Sequence, residues 1–152
     1  MNILKNSAIA LTTCALSAGI IFALPQQAKA QDYGSFSLTP GFLPDPQIGT
    51  GMSGGGRSTS DCGYVDADNA PDHVLTVNEG FSYLRAYVEA PGDVTMLVEG
   101  PDGRYCSDDV NGLMPEVSGA WPAGTYRIWI GDFAGPSQGT YRYQLFLSEY
   151  AE

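Results

Sequence analysis

Apolar and polar residues alternate with a period of two through most of the chain after residue 72. In residues 81–90, for example, Leu84, Ala86 and Val88 share one face, which is typical of a strand with one buried side. The same pattern predicts further strands at residues 73–77, 94–99, 104–107, 116–119, 125–131 and 140–148. Gly- and Pro-containing turns separate these segments, and no ten-residue helical pattern occurs. The sequence therefore predicts an all-β fold, an antiparallel β-sandwich or jelly roll of six to eight short strands.

The first thirty residues have the pattern of a signal peptide. Lys5 provides a short positive region, residues 7–24 are apolar, and Ala28-Lys29-Ala30 is the small-x-small pattern that signal peptidase requires. We expect cleavage before Gln31, export to the periplasm or the extracellular space, and no membrane span after cleavage.

Two alternatives to cleavage remain. The apolar stretch has about the length of a minimal membrane-spanning helix, although Pro25 and the small residues that follow it favour cleavage. Lipidation at Cys14 would make the chain a lipoprotein, but Thr13 is unfavourable immediately before a lipidated cysteine.

The rest of the chain divides by composition into two parts. Residues 31–60 are rich in Gly, Pro, Ser and Thr, and residues 40–46 contain three prolines, which exclude a helix there. We therefore expect an N-terminal arm at residues 31–60, with Phe42 and Leu43 docked on the main body. The β-sandwich domain is expected at residues 61–152.

The charge changes when the signal peptide is removed. The full chain has a net charge of −10, but both lysines lie in the signal peptide, which leaves five arginines against seventeen acidic residues and a net charge of −12. A chain of this charge is a poor partner for nucleic acid, since that affinity comes mainly from Lys and Arg. Cations are more plausible partners, and we expect a monomer.

Cleavage also leaves two cysteines, Cys62 and Cys106. An even pair in an exported protein indicates a disulfide, which here would close a loop of about 45 residues and stabilise the fold by about 3–4 kcal/mol. Two free thiols or half of a metal site are the alternatives. Neither is supported, because the chain has no Cys-x-x-Cys motif and its single histidine is His73.

Several strand-and-turn motifs resemble those of the bacterial pre-peptidase C-terminal domain. The clearest are residues 123–131 (AGTYRIWIG) and 139–145 (GTYRYQL), and residues 81–88 (FSYLRAYV) and 98–103 (VEGPDG) fit the earlier strands and turn. The resemblance covers roughly residues 72–149. It implies a β-sandwich accessory module, a non-catalytic type that commonly accompanies secreted peptidases. Related modules bind substrate or calcium, or aid secretion.

Asp108, Asp109 and Asn111 form the best candidate metal site. Calcium takes six to eight oxygen ligands, and loops dense in Asp and Asn supply them. A second acidic cluster comprises Asp66, Asp68, Asn69 and Asp72. The alternative for both is a solvated turn, in which Asp and Asn are favoured for backbone reasons alone. The expected cofactor is Ca²⁺ at Asp108, Asp109 and Asn111, and no other.

Aromatic residues on the strands offer a candidate binding face, with Tyr87 and Trp129 as its representatives. Exposed aromatics on a sheet can stack on sugar rings or form a protein interface, so the expected ligand is a protein or a glycan. The preferred alternative is that a second sheet or the N-terminal arm covers them.

The sequence contains no convincing catalytic constellation. His73 beside Asp72 suggests a general base, but a lone histidine at the start of a strand is usually structural, and no nucleophile can be paired with it. We therefore expect a non-catalytic exported binding or accessory module. The alternatives are a secreted hydrolase, a non-covalent subunit of a secreted peptidase, and a structural envelope protein.

Overall fold

The alternating segments form strands of two β-sheets packed face to face. The computed structural model describes residues 33–68 and 70–151, so the predicted signal peptide and Asn69 lie outside the described residues. The strands are β1 (Ser35–Leu38), β2 (Gln47–Met52), β3 (His73–Val77), β4 (Phe81–Glu89), β5 (Val94–Gly100), β6 (Gly103–Ser107), β7 (Glu116–Trp121), β8 (Gly124–Asp132) and β9 (Arg142–Ser148). The predicted all-β sandwich is confirmed.

One sheet has five strands in the order β1-β3-β8-β5-β6, and the other has four in the order β2-β9-β4-β7. All pairs are antiparallel except β1 with β3. The helical structure of the described residues is one 3₁₀ turn, Pro136–Gln138. Within this part of the chain, no helix has the length and apolarity needed to cross a membrane.

The core lies between the two sheets and consists of the inward positions of the alternating strands. On β4 these are Leu84, Ala86 and Val88, as predicted, and all three are buried. The facing sheet contributes Tyr126, Ile128 and Ile130 from β8 and Val94, Met96 and Val98 from β5. Burial of a large aliphatic side chain contributes about 1.5–3 kcal/mol, so this double layer accounts for much of the stability.

Residues 31–60, predicted as an arm, contain two strands that pair with the sandwich. β1 pairs with β3 and β2 pairs with β9, and both lie at sheet edges. Phe42 packs against the core as expected, whereas Leu43 is exposed. Division of the chain at residue 61 stays a prediction.

Glycines in β2 allow the backbone to approach a buried polar pair. The Tyr143 hydroxyl lies 2.9 Å from His73 Nε2 in the core. A Cβ at Gly49 would lie 2.8 Å from the His73 ring, and a Cβ at Gly51 would collide with the Tyr143 hydroxyl. The glycines therefore make room for the histidine and the tyrosine between the sheets.

The predicted disulfide is confirmed, since Cys62 and Cys106 are bonded with Cα atoms 5.6 Å apart. The bond holds the loop before β3 against the outer face of the five-stranded sheet. There Cys62 and Val65 bury Leu97 and Trp129 in a second, smaller core. The loop thus has a packing role in addition to its covalent link.

Candidate functional site

Three carboxylates from two loops meet at one end of the sandwich. Asp93 lies in the turn between β4 and β5, and Asp108 and Asp109 begin the loop after β6. The register pairs Met96 with Ser107, which places the start of β5 beside the end of β6. One carboxylate oxygen from each residue lies within 4.8 Å of those from the other two. We call these three residues the carboxylate cluster.

Two oxygen atoms of the cluster are shielded from water without compensating donors. Asp93 Oδ1 and Asp108 Oδ1 are shielded from solvent and have no hydrogen-bond partner among the described residues. Burial, and then repulsion from Asp109, raises the pKa of both carboxyl groups. A cation between the three side chains would offset both effects, since an opposite charge favours the ionised form of a carboxyl group.

The chemistry of the cluster suits a hard cation. Its side-chain ligands are all carboxylate oxygens, which Ca²⁺ and Mg²⁺ prefer, and no cysteine or histidine belongs to it. Ca²⁺ takes six to eight oxygens in flexible geometry, and surface loops tolerate that number better than the strict octahedron of Mg²⁺. The residues therefore fit calcium, with water or backbone oxygens completing the shell.

Of the three residues predicted for the metal site, the structure brings Asp108 and Asp109 together, and it adds Asp93 in place of Asn111. The Asn111 amide donates a 2.8 Å hydrogen bond to Glu116 Oε2, so this side chain has a partner outside the cluster. Asp93 was not predicted, because fifteen residues separate it from Asp108. The signal available was the Pro-Gly-Asp turn before β5, which becomes informative only once the register of β5 and β6 is known.

The second acidic segment is divided among separate partners. Asp66 Oδ1 accepts a 3.0 Å hydrogen bond from the Gly56 amide, and Asp68 forms an ion pair with Arg57. Asp72 Oδ2 accepts a 2.7 Å bond from the Ile130 amide. These carboxylates organise the loop and the start of β3, and Asn69 lies outside the described residues.

Trp129 does not face solvent. Its side chain is 3% exposed beneath the disulfide-linked loop, in contact with the cluster of Cys62 and Val65. Trp129 is therefore covered by another part of the chain, which was the preferred alternative to a binding face. The cover is the loop around Cys62 and lies outside residues 31–60, where the arm was predicted.

Tyr87 lies on the outer face of the four-stranded sheet, where two planar groups pack against its ring. Phe146 stacks on one face with ring centroids 4.8 Å apart and planes 9° apart. The Arg85 guanidinium lies 4.1 Å from the ring centroid. The two planar groups leave Tyr87 little ring surface for a sugar, so it offers mainly its edge and its hydroxyl.

His73 is fully buried between the sheets and bonds to Tyr143. A general base must come within about 3 Å of the proton that it removes from a substrate. A substrate cannot reach His73 without separation of the sheets. The position of this histidine argues for a structural role.

Comparison with known proteins finds one relative in sequence and similar folds among solved structures. No protein-family model matches the chain. An uncharacterized protein of Synechococcus elongatus, Synpcc7942_2126, is 48% identical over 103 residues, which cover 65% of this chain and 72% of that protein.

Two solved structures were found to be similar at low sequence identity, and the first of them shares the fold. The pre-peptidase C-terminal domain of a collagenase from Bacillus anthracis superposes with a TM-score of 0.50 at 12% identity, over 80% of this chain and all of that domain. A periplasmic inhibitor of g-type lysozyme from Aeromonas hydrophila gives a TM-score of 0.42 at 15% identity, over 76% of this chain and 97% of that protein. The resemblance seen in the strand motifs is thus confirmed at the level of the fold.

Proposed function

The chain belongs to the family of the uncharacterized Synechococcus elongatus protein Synpcc7942_2126, and we propose that it is a non-catalytic, calcium-stabilised binding module of an exported protein. The observation that carries the proposal is the carboxylate cluster of Asp93, Asp108 and Asp109. Two of its oxygens are shielded from water without a donor, which is costly unless a cation is present.

Export is supported by chemistry and by sequence. Disulfides such as Cys62–Cys106 persist mainly in oxidising compartments. Residues 1–30 have the three-part pattern of a cleaved signal peptide. An extracellular or periplasmic module also meets calcium at concentrations that a loop site of modest affinity can use.

An accessory role is supported by the fold and by the surroundings of the titratable groups. The fold is shared with a pre-peptidase C-terminal domain, and here His73 is sealed in the core. A secreted hydrolase would need an accessible acid or base in a cleft. The carboxylates of Asp93, Asp108 and Asp109 lie instead in loops, where cation binding is the simpler role.

Thermal unfolding with and without calcium tests the proposal. A ligand present at about 100 times its Kd stabilises by about 2.7 kcal/mol, so we expect millimolar calcium to raise the melting temperature of the purified protein by about 5–10 °C relative to chelator. Asp93→Asn and Asp108→Asn should each remove most of this shift.

Two variants serve as matched controls. Glu79→Gln removes one exposed acidic charge from the β3–β4 turn and should keep the full calcium shift. Asn111→Ala should keep it too, since the Asn111 amide bonds to Glu116. No calcium shift in the unmodified protein, or an unchanged shift in Asp93→Asn, would refute the proposal.

A further inference from the structure

A groove runs along one side of the sandwich between the edge strands of the two sheets. β6 is the last strand of the five-stranded sheet and β7 the last of the four-stranded sheet. The Glu116 amide donates a 2.8 Å hydrogen bond to Ser107 Oγ, which ties the two edges together at one end. Beyond this tie, β6 and β7 are not paired, and the space between them opens toward Asp102 and Trp121.

The backbone of β7 directs hydrogen-bonding groups into this groove. The Pro115 carbonyl accepts a bond from Val88 on β4, whereas the Glu116 amide points to the β6 side. Because backbone groups alternate along a strand, the amides and carbonyls of Ser118 and Ala120 point to the β6 side as well. Among the described residues, no strand pairs with β7 on that side.

The end of the groove away from Ser107 contains an aromatic depression with a carboxylate at its rim. Its volume is about 130 Å³, and Tyr105, Trp121 and Tyr126 are among its lining residues. Tyr105 is 40% exposed, and its hydroxyl donates a 2.9 Å hydrogen bond to Asp102 Oδ2. Trp121 and Tyr126 are buried and form the floor of the depression, so Tyr105 is the ring open to a ligand. An aromatic face beside a carboxylate is a favourable environment for a Lys or Arg side chain.

Carboxylates border both depressions of the groove. Past Tyr105 and Ser118 it continues into a shallow depression bordered by Asp108, Asp109 and Glu116. Glu116 is ion-paired with Arg85, and Asp108 and Asp109 belong to the carboxylate cluster. Asp102 is therefore the carboxylate of the two depressions that is left for a basic side chain, and their lining residues include no Lys or Arg. The whole chain is also acidic, with a net charge of −10, which favours a basic partner.

From this geometry we propose that the β6–β7 groove binds an extended, basic peptide segment of a partner protein. The segment adds a strand to the free edge of β7 through Ser118 and Ala120, and it places a Lys or Arg side chain against Tyr105 beside Asp102. Strand addition supplies affinity through the backbone, while the depression selects the side chain. The inference rests on the proposed binding function and names its ligand class and surface.

A blocked hexapeptide in which arginine alternates with threonine is a suitable probe, since six extended residues span about 20 Å. Binding is measured by titration calorimetry on the purified protein at physiological salt with calcium present. We expect Asp102→Asn, Tyr105→Leu and Ser118→Pro each to weaken binding by about tenfold, through loss of the charge, the ring and the edge amide respectively. Glu79→Gln should leave binding unchanged.

Two altered peptides separate strand addition from charge attraction. Replacement of arginine by glutamate should abolish binding, and so should replacement of threonine by proline, which keeps the charge but removes backbone donors. Equal binding of the arginine–proline peptide would overturn the inference, as would unchanged affinity in both Asp102→Asn and Ser118→Pro or no binding to the folded protein. Because the calcium shift is measured without peptide, failure of one claim is distinguishable from failure of the other.

Discussion

At the residue scale, Asp72 is the carboxyl group whose burial most alters its titration. Burial raises the pKa of Asp72 from its ordinary value of 3.8 to about 7. The hydrogen bond from the Ile130 amide lowers this pKa in part, and repulsion from Asp66 raises it slightly further. A raised carboxyl pKa means that the folded state holds the proton more tightly than the unfolded state. The stability due to this proton is full below pH 4 and is lost as the pH rises through 7.

Asp72→Asn should therefore stabilise the protein at pH 8 and have little effect at pH 4. The Asn amide oxygen can still accept from the Ile130 amide, and no charge is buried. After allowance for partial solvent access, we expect a rise of about 5 °C in melting temperature at pH 8. Melting curves of Asp72→Asn and of the Glu79→Gln control across pH 4–8 check this. A variant that is less stable than the unmodified protein at pH 8 would contradict it.

At the element scale, the disulfide-linked loop is the cover of the outer face of the five-stranded sheet. Replacement of Cys62 and Cys106 by alanine opens a closed loop of 44 residues, and about 3–4 kcal/mol of chain-entropy stabilisation is lost. We expect the melting temperature to fall by about 10 °C or more.

The fluorescence of Trp129 reports on the same loop. In a Trp121→Phe background, Trp129 is the one remaining tryptophan. Loss of the disulfide should shift its emission to longer wavelength below the melting temperature, because the loop around Cys62 and Val65 then exposes the ring. Emission and melting temperature identical to those of the disulfide-bonded protein would show that packing alone holds the loop.

A strand could be predicted from the sequence where apolar side chains on its buried face alternate with polar side chains on its outer face. β4, β5, β8 and β9 have apolar residues at every second position, and the inward face predicted for β4 is correct. β2 gives no such signal, because its buried positions are Gly49 and Gly51. Its strand character depends on the rings of His73 and Tyr143, which fill the space that its own side chains would occupy.

The same limit applies to the site. Asp108 and Asp109 are adjacent in sequence and were found, whereas Asp93 joins them only through the register of β5 with β6. Likewise, Trp129 lies on the face of β8 opposite Ile128 and Ile130. No residue near Trp129 in the sequence indicates that the loop around Cys62 covers that face. Contacts between distant segments carry this information, and a single sequence does not contain it.

At the scale of the whole molecule, the two proposed ligand sites lie next to each other, at one end and along one edge of the sandwich. The carboxylate cluster lies at the end of β5 and β6, and the groove beside β7 continues from Asp108 and Asp109 to Asp102. A cation at the end and a basic peptide along the edge would each offset part of the net charge of −10. The two ligands use neighbouring surfaces, so the peptide measurements are made with calcium present.

The most direct test of the calcium site is anomalous diffraction from crystals of the protein soaked in calcium. The proposal predicts one strong peak about 2.3–2.6 Å from carboxylate oxygens of Asp93, Asp108 and Asp109, which is the usual calcium–oxygen distance. The peak should be absent from crystals of Asp93→Asn treated in the same way. A soaked crystal of the unmodified protein with no peak between these three side chains would contradict the proposal.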